Sequence, residues 1–151
     1  MFSLFKKKPF FSPEENELIV QSIRDAERQT SGEIRVFVES KCTFIDSLDR
    51  AKEIFANLKM NETEHRNGVL FYVAIKDRQL AIFADKGIHE AVGDQYWKDV
   101  VSHILVFFDG ENHPLGIKEC VLKIGEALQS HFPYDATTDK NELPDEIIFG
   151  K

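Results

Sequence analysis

The stretch that decides the fold is Arg66–Asp94, "RNGVLFYVAIKDRQLAIFADKGIHEAVGD". Gly68–Ile75 is an unbroken apolar run, short, rich in β-branched and aromatic residues and bounded by polar punctuation. Such a run reads as a strand buried on both faces. Lys76-Asp77-Arg78 supplies a turn, and Gln79–Ala84 returns as an antiparallel strand. Asp85–Gly93 holds two glycines and no clear period, so it reads as a loop. The two ends of the oily hairpin carry Asn67, Asp85, His89, Glu90 and Asp94. Polar and acidic groups thus flank the most apolar segment of the chain.

Upstream, Ser12-Pro13-Glu14-Glu15 combines an N-cap, a proline at the first helical position and a glutamate that can reach back to the cap. Leu18, Ile19, Ile23 and Ala26 recur at helical spacing, and the helix is expected to end near Gln29, before the turn Thr30-Ser31-Gly32. In Glu33–Ser40, Ile34, Val36 and Val38 alternate with Arg35, Phe37 and Glu39, the pattern of a strand with one strongly apolar face. Asp46 or Ser47 caps a second helix bearing Leu48, Ala51, Ile54, Phe55 and Leu58. Downstream, a helix begins at about Asp94, with Tyr96, Trp97, Val100, Val101, Ile104, Leu105 and Phe108 inward, and stops at Asp109-Gly110. Pro114 opens a last helix that ends by His131-Phe132-Pro133, and Gly116 and Gly125 fall at its packing positions. The acidic, turn-rich remainder closes with "EIIFG", a candidate short strand.

The order α-β-α-β-β-α-α predicts an α/β fold: a three-layer α/β/α sandwich around a small mixed sheet. Strands one and two, joined by a helix, are expected parallel with a right-handed crossover, and strand three antiparallel to strand two. The first two strands then start at the edge where the third finishes. Glu33, Asn67 and Asp85, distant in sequence, are therefore expected on one rim, where neighbouring strands lie about 4.8 Å apart. The following loop brings His89, Glu90 and Asp94 nearby.

Grouped carboxylates need a counter-charge, since two charges about 5 Å apart repel by about 3 kcal/mol at an effective dielectric of about 20. Lys86, Arg66 and the helix end at Asp94 are local candidates. A hard cation suits the oxygen-rich remainder, because calcium takes about six to eight oxygens, amide carbonyls included. Magnesium is the second choice. Zinc is disfavoured, with only His89 and His65 as nearby imidazoles and no thiol beside them. Each residue also has a plain structural role available: Asp94 as a helix cap, Asp85 and Asn67 as turn residues, Glu33 as a partner of Arg35 or Lys86.

A length of 151 residues with 42% hydrophobic content and 13 phenylalanines suffices for one packed domain. The boundaries are expected as an N-terminal tail at 1–11, the domain at 12–133, and an acidic C-terminal tail at 134–151 packing on it. A net charge of -7 without a basic patch argues against nucleic acid as a partner. Cys42 and Cys120, far apart and outside any CxxC pattern, read as free thilos of a reducing compartment. "MFSLFKKKPFF" lacks the h-region of a secretory signal, and no run is long enough to span a membrane. A soluble, cytoplasmic monomer with an unidentified protein partner is the expectation. HExxH, EF-hand, GxSxG, GxGxxG and P-loop patterns are all missing, so no catalytic residue is nominated.

Three segments carry a family resemblance: "SGEIRVFVE", the Arg66–Trp97 stretch beginning "RNGVLFYVAIKDRQ", and "GIKECVLKIGEALQSHFP". Over roughly Pro13–Pro133 they resemble the TPM domain family, named for a thylakoid lumen protein, a photosystem II repair protein and a nicotinic-receptor auxiliary protein. The closing "NELPDEIIFGK" is similar to the short bacterial branch. The resemblance implies an α/β/α sandwich and a divalent-cation site, often calcium, on loops at one sheet edge. By position it implies Asn67, Asp85 and Asp94 as the foremost ligands, with His89 and Glu90 behind them; Glu33 is a candidate from the strand geometry. The signal peptide, membrane span and Gly-rich tail of many relatives are missing here, so a lumenal or receptor role is not expected. The leading expectation is a cation-binding domain with a regulatory or partner-binding role. The alternatives are a metal-assisted acid phosphatase, as attributed to plant members, and a metal-independent interaction module working through its tails.

Overall fold

Ser12 and Glu15 close a reciprocal cap before the first helix: Ser12 Oγ accepts from Glu15 N at 3.1 Å and Glu15 Oε1 from Ser12 N at 2.8 Å. The computed structural model describes residues 10–110, 112–134 and 146–150. The expectations placed on Met1–Pro9 and on 135–145 lie outside them. The elements run α1 (Pro13–Glu27), β1 (Glu33–Glu39), α2 (Ser47–Asn57), β2 (Gly68–Ala74), β3 (Gln79–Ala84), α3 (Lys86–Val92), α4 (Asp94–Asp109), α5 (His113–His131) and β4 (Ile147–Phe149).

The strands form one sheet in the order β3-β2-β1-β4. β1 and β2 are parallel, with Glu33 opposite Gly68 and Glu39 opposite Ala74. β2 and β3 are antiparallel, with Val69 opposite Ala84 and Ala74 opposite Gln79. Period-two alternation then sorts the side chains. Ile34, Val36, Val38, Val69, Phe71, Val73, Leu80 and Ile82 join Ile19, Ile23, Ile104, Ile117, Val121 and Ile124 of α1, α4 and α5 in the larger core. Phe37, Leu70, Tyr72, Ala74 and Ala81 meet Ala51, Ile54 and Phe55 of α2 in the smaller one. This is the expected three-layer sandwich. Every residue of β1 and β2 is buried, which explains why Gly68–Ile75 shows no alternation.

Two elements change the expected order. Asp85–Gly93, expected as a loop, contains helix α3, capped by Asp85 and ended by Gly93 at φ 83°. Seven residues make only about two turns, too few for a period to emerge from the sequence. Gly93, rather than Asp94, is the N-cap of α4, and it makes no side-chain cap bond. The second is β4, the candidate short strand of "EIIFG", which is formed and adds a fourth strand, parallel to β1, Val36 opposite Ile147 and Val38 opposite Phe149. Phe149 stacks on Phe10 with ring centroids 5.8 Å apart, and Phe11 is buried beside it.

Gly125 and Gly116 pack as expected: a Cβ on Gly125 would lie 2.9 Å from Ala26 Cβ, and one on Gly116 2.8 Å from Phe107 Cβ. Cys42 and Cys120 are free thiols, and burial pushes Cys120 well above its ordinary pKa. Among the described residues no helix is long and apolar enough to cross a membrane.

Candidate functional site

The crossover and the reversal deliver Glu33, Asn67 and Asp85 to one edge of the sheet. Glu33 N–H donates to the Asn67 carbonyl at 3.3 Å, and Asp85 N–H to the Gly68 carbonyl at 2.9 Å. All three residues are buried. Their side chains nonetheless have different tasks.

Asp85 is 4% exposed and fully engaged. Arg66 grips it with both arms of the guanidinium, Nε to Oδ2 at 2.6 Å and Nη2 to Oδ1 at 2.8 Å. Oδ1 also accepts from Lys86 N–H at 2.8 Å, capping α3. The hydrogen bond to Asp85 holds Arg66 above its ordinary pKa. Arg66 reaches this pose from a left-handed backbone, φ 51°, unusual for a side-chain-bearing residue. Gly87 makes that approach possible. Its N–H donates to the Arg66 carbonyl at 2.9 Å, and a Cβ there would lie 2.3 Å from the His65 carbonyl oxygen and 2.7 Å from that of Arg66.

Asn67 sits deeper. Its Nδ2 donates to Ser31 Oγ at 3.3 Å, while its buried Oδ1 has no hydrogen-bond partner among the described residues. His89, one turn beyond Asp85 in α3, places Nε2 3.2 Å from Asp94 Oδ1. Glu90 is exposed on α3.

Asp85, His89 and Asp94, with Arg66, line a single groove of about 800 Å³ between α2, β3 and α4. Asn67, Glu33 and Glu90 do not line it. Among the described residues, no three His, Cys, Asp or Glu side chains come close enough together to hold a metal ion. The rim offers hard oxygen donors, but of the three carboxylates that line the groove Asp85 is engaged by Arg66, Asp94 by His89 and Asp46 by the Leu48 N–H.

A second polar cluster, at the opposite end of the sheet, was not anticipated from the sequence. Glu39, at the end of β1, accepts Arg50 Nε at 2.9 Å and Nη2 at 3.0 Å, and the buried Tyr72 hydroxyl donates to the same carboxylate. Arg50 Nη1 also reaches Glu53 at 2.6 Å. Burial, together with the bond to Glu39, pushes Tyr72 far above its ordinary pKa, and the Glu39 bond raises Arg50. Glu39 and Arg50 lie eleven residues apart across a loop, and no local spacing rule links such positions. The sequence sets Glu39 apart by little, since β1 also carries Glu33 and Arg35.

With this geometry in view, the comparisons with known proteins are specific. The sequence profile of the TPM domain matches residues 5–127. The NMR structure of the BA42 protein from the psychrophilic bacterium Bizionia argentinensis is 42% identical, with a TM-score of 0.86, covering 97% of this chain and 99% of that one. The N-terminal domain of a protein from P. gingivalis has a TM-score of 0.69 at 17% identity, over 83% of this chain and 82% of that one. That of the cg2496 protein from Corynebacterium glutamicum has 0.63 at 12%, over 92% and 95%. These last two share the fold. No curated protein matches the chain. Profile and fold agree, and the chain belongs to the TPM domain family.

Proposed function

We propose that this TPM domain is a binding rather than a catalytic module, and that its rim takes a divalent cation, calcium before magnesium, in exchange for its own basic side chains. The observation that carries this reading is the state of the oxygen donors. Asp85 is a nearly buried carboxylate whose charge is offset by one guanidinium from a partly exposed side chain. Asn67 Oδ1 is a buried acceptor that nothing among the described residues satisfies, and such orphans are rare. Asp94 is exposed on the groove that Asp85 lines. Calcium accepts carboxylate, amide and water oxygens together, in flexible geometry.

Because the donors are engaged rather than waiting, binding requires Arg66 to leave Asp85 and His89 to leave Asp94. Weak affinity follows from that competition. Asn67, Asp85 and Asp94 are the ligands of this reading; Glu33, His89 and Glu90 are peripheral to it. The role is regulatory or partner-binding, with no nucleophile or phosphate cradle assigned.

Calorimetric titration with calcium tests the exchange. Arg66→Gln removes the competing cation and keeps hydrogen-bonding capacity, so calcium is expected to bind it about tenfold more tightly than the parent. Asp94→Asn is expected to weaken binding. Equal heats in all three proteins, or tighter binding by the parent than by Arg66→Gln, would contradict the reading.

A further inference from the structure

β3 is one edge of the sheet, and its outer side opens into the groove between α2 and α4. The bond from Asp85 N–H to the Gly68 carbonyl fixes the phase of the β2–β3 ladder. In an antiparallel ladder, residues alternate between facing their partner and facing away. Asp85, Phe83 and Ala81 therefore direct their backbone groups to β2, while Ala84, Ile82 and Leu80 direct theirs into the groove. Ser47 Oγ meets the Leu80 carbonyl at 3.3 Å, as that phase requires. The outward N–H and C=O groups of Ile82 and Ala84 have no partner among the described residues. An unpaired row of this kind is the template for strand addition.

Charge selects the occupant. Lys52, Lys86 and Lys98 are exposed, line the groove, and form no ion pair among the described residues. The carboxylates that line it are engaged: Asp85 with Arg66, Asp94 with His89, and Asp46 in capping Leu48 N–H. With histidine counted neutral, Lys52, Arg66, Lys86 and Lys98 outnumber Asp46, Asp85 and Asp94 by one in this lining, a basic edge on a chain of net charge -7. Trp97, which also lines the groove, has a buried Nε1–H without an acceptor among the described residues.

We infer that the β3 edge is a docking site for an extended acidic segment of a partner protein, added as a further strand. The segment's backbone pairs with Ile82 and Ala84, and its carboxylates meet Lys52, Lys86 and Lys98. β3 has six residues and spans about 20 Å, which sets the length of the segment. A second copy of this chain does not suit the site, because pairing β3 with itself would bring the lysines of both copies to one seam. The site shares a groove with the proposed cation rim but needs no cation.

The test is a titration of the ¹⁵N-labelled full chain in EDTA with three peptides of about eight residues. One alternates Val and Glu, one alternates Val and Lys, and the third is the Glu peptide with prolines at its central positions. The Val-Glu peptide is expected to shift the amides of Ile82 and Ala84 and the Trp97 indole, and to slow exchange at both amides. The Lys and proline peptides are expected to bind at least about tenfold more weakly, since one reverses the charge and the other removes ladder donors. Lys52→Glu with Lys98→Glu should shift preference toward the Lys peptide. If that pair does not fold, Lys98→Glu alone should reduce the Glu-over-Lys preference. No shift along β3 at millimolar Val-Glu peptide, or equal binding of all three peptides, overturns the inference. Calcium-induced shifts without peptide binding would leave the cation reading intact and remove this one.

Discussion

Glu39 serves two donors at once, the guanidinium of Arg50 and the hydroxyl of Tyr72, and it does so where β1 leaves the core. A buried carboxylate is tolerable only when its lone pairs are met in this way. Tyr72 supplies a measurable consequence. Its phenol keeps its proton in the folded state well above the ordinary value of about 10. Below about pH 10 both states are protonated, and the group adds no pH dependence. Above it the unfolded chain ionises while the folded one does not, so stability falls as pH rises, by up to about 1.4 kcal/mol per pH unit. Tyr72→Phe should flatten that alkaline slope in urea unfolding followed from pH 8 to 11, and cost about 1–2 kcal/mol at neutral pH for the lost bond. An unchanged slope would mean that Tyr72 ionises normally. Residues of this kind were the least legible in the sequence. Asp85 and Asn67 stood out because they flank an apolar hairpin, and Arg66 stood beside Lys86 as a candidate counter-charge; that Arg66 is the one gripping Asp85 rested on a left-handed backbone angle that composition does not encode.

Elements were legible in proportion to their length. The two buried strands, the tight turn between them, and the helices α1, α4 and α5 each show enough turns or alternations for a period to emerge. α3 does not. It exists because Asp85 caps it, because Gly87 lets the chain before β2 lie directly against it, and because Gly93 ends it. β4 is held largely by its pairing with β1 and by the phenylalanines at positions 10 and 11, contacts remote in sequence. The junction at Gly87 gives the element-scale prediction. Gly87→Ala places a methyl against two backbone carbonyls that have no flexible side chain to yield. The expected cost is about 1–3 kcal/mol in denaturant unfolding, together with loss of the Arg66 side-chain NMR signals characteristic of the pair with Asp85. Unchanged stability with the pair retained would mean that the loop and α3 are not locked together.

At the scale of the whole molecule, one topological fact organises the chemistry. A parallel crossover followed by an antiparallel return brings the start of β1, the start of β2 and the end of β3 to a common border. This much follows from the order and polarity of the strands, and it was legible without coordinates. What the sequence left open was the state of the groups once there, since a carboxylate beside a guanidinium and one waiting for a cation read identically as Asp. The opposite end of the sheet is closed by Glu39, Arg50 and Tyr72 and provides an internal control. The most direct measurement is therefore an amide NMR titration of the parent chain with calcium, mapped onto both ends. The account predicts saturable shifts at Arg66–Gly68 and across Asp85–Asp94, with the amides of Glu39 and Tyr72 still. Shifts absent from that rim at millimolar calcium, or spread evenly over the acidic surface, would contradict it.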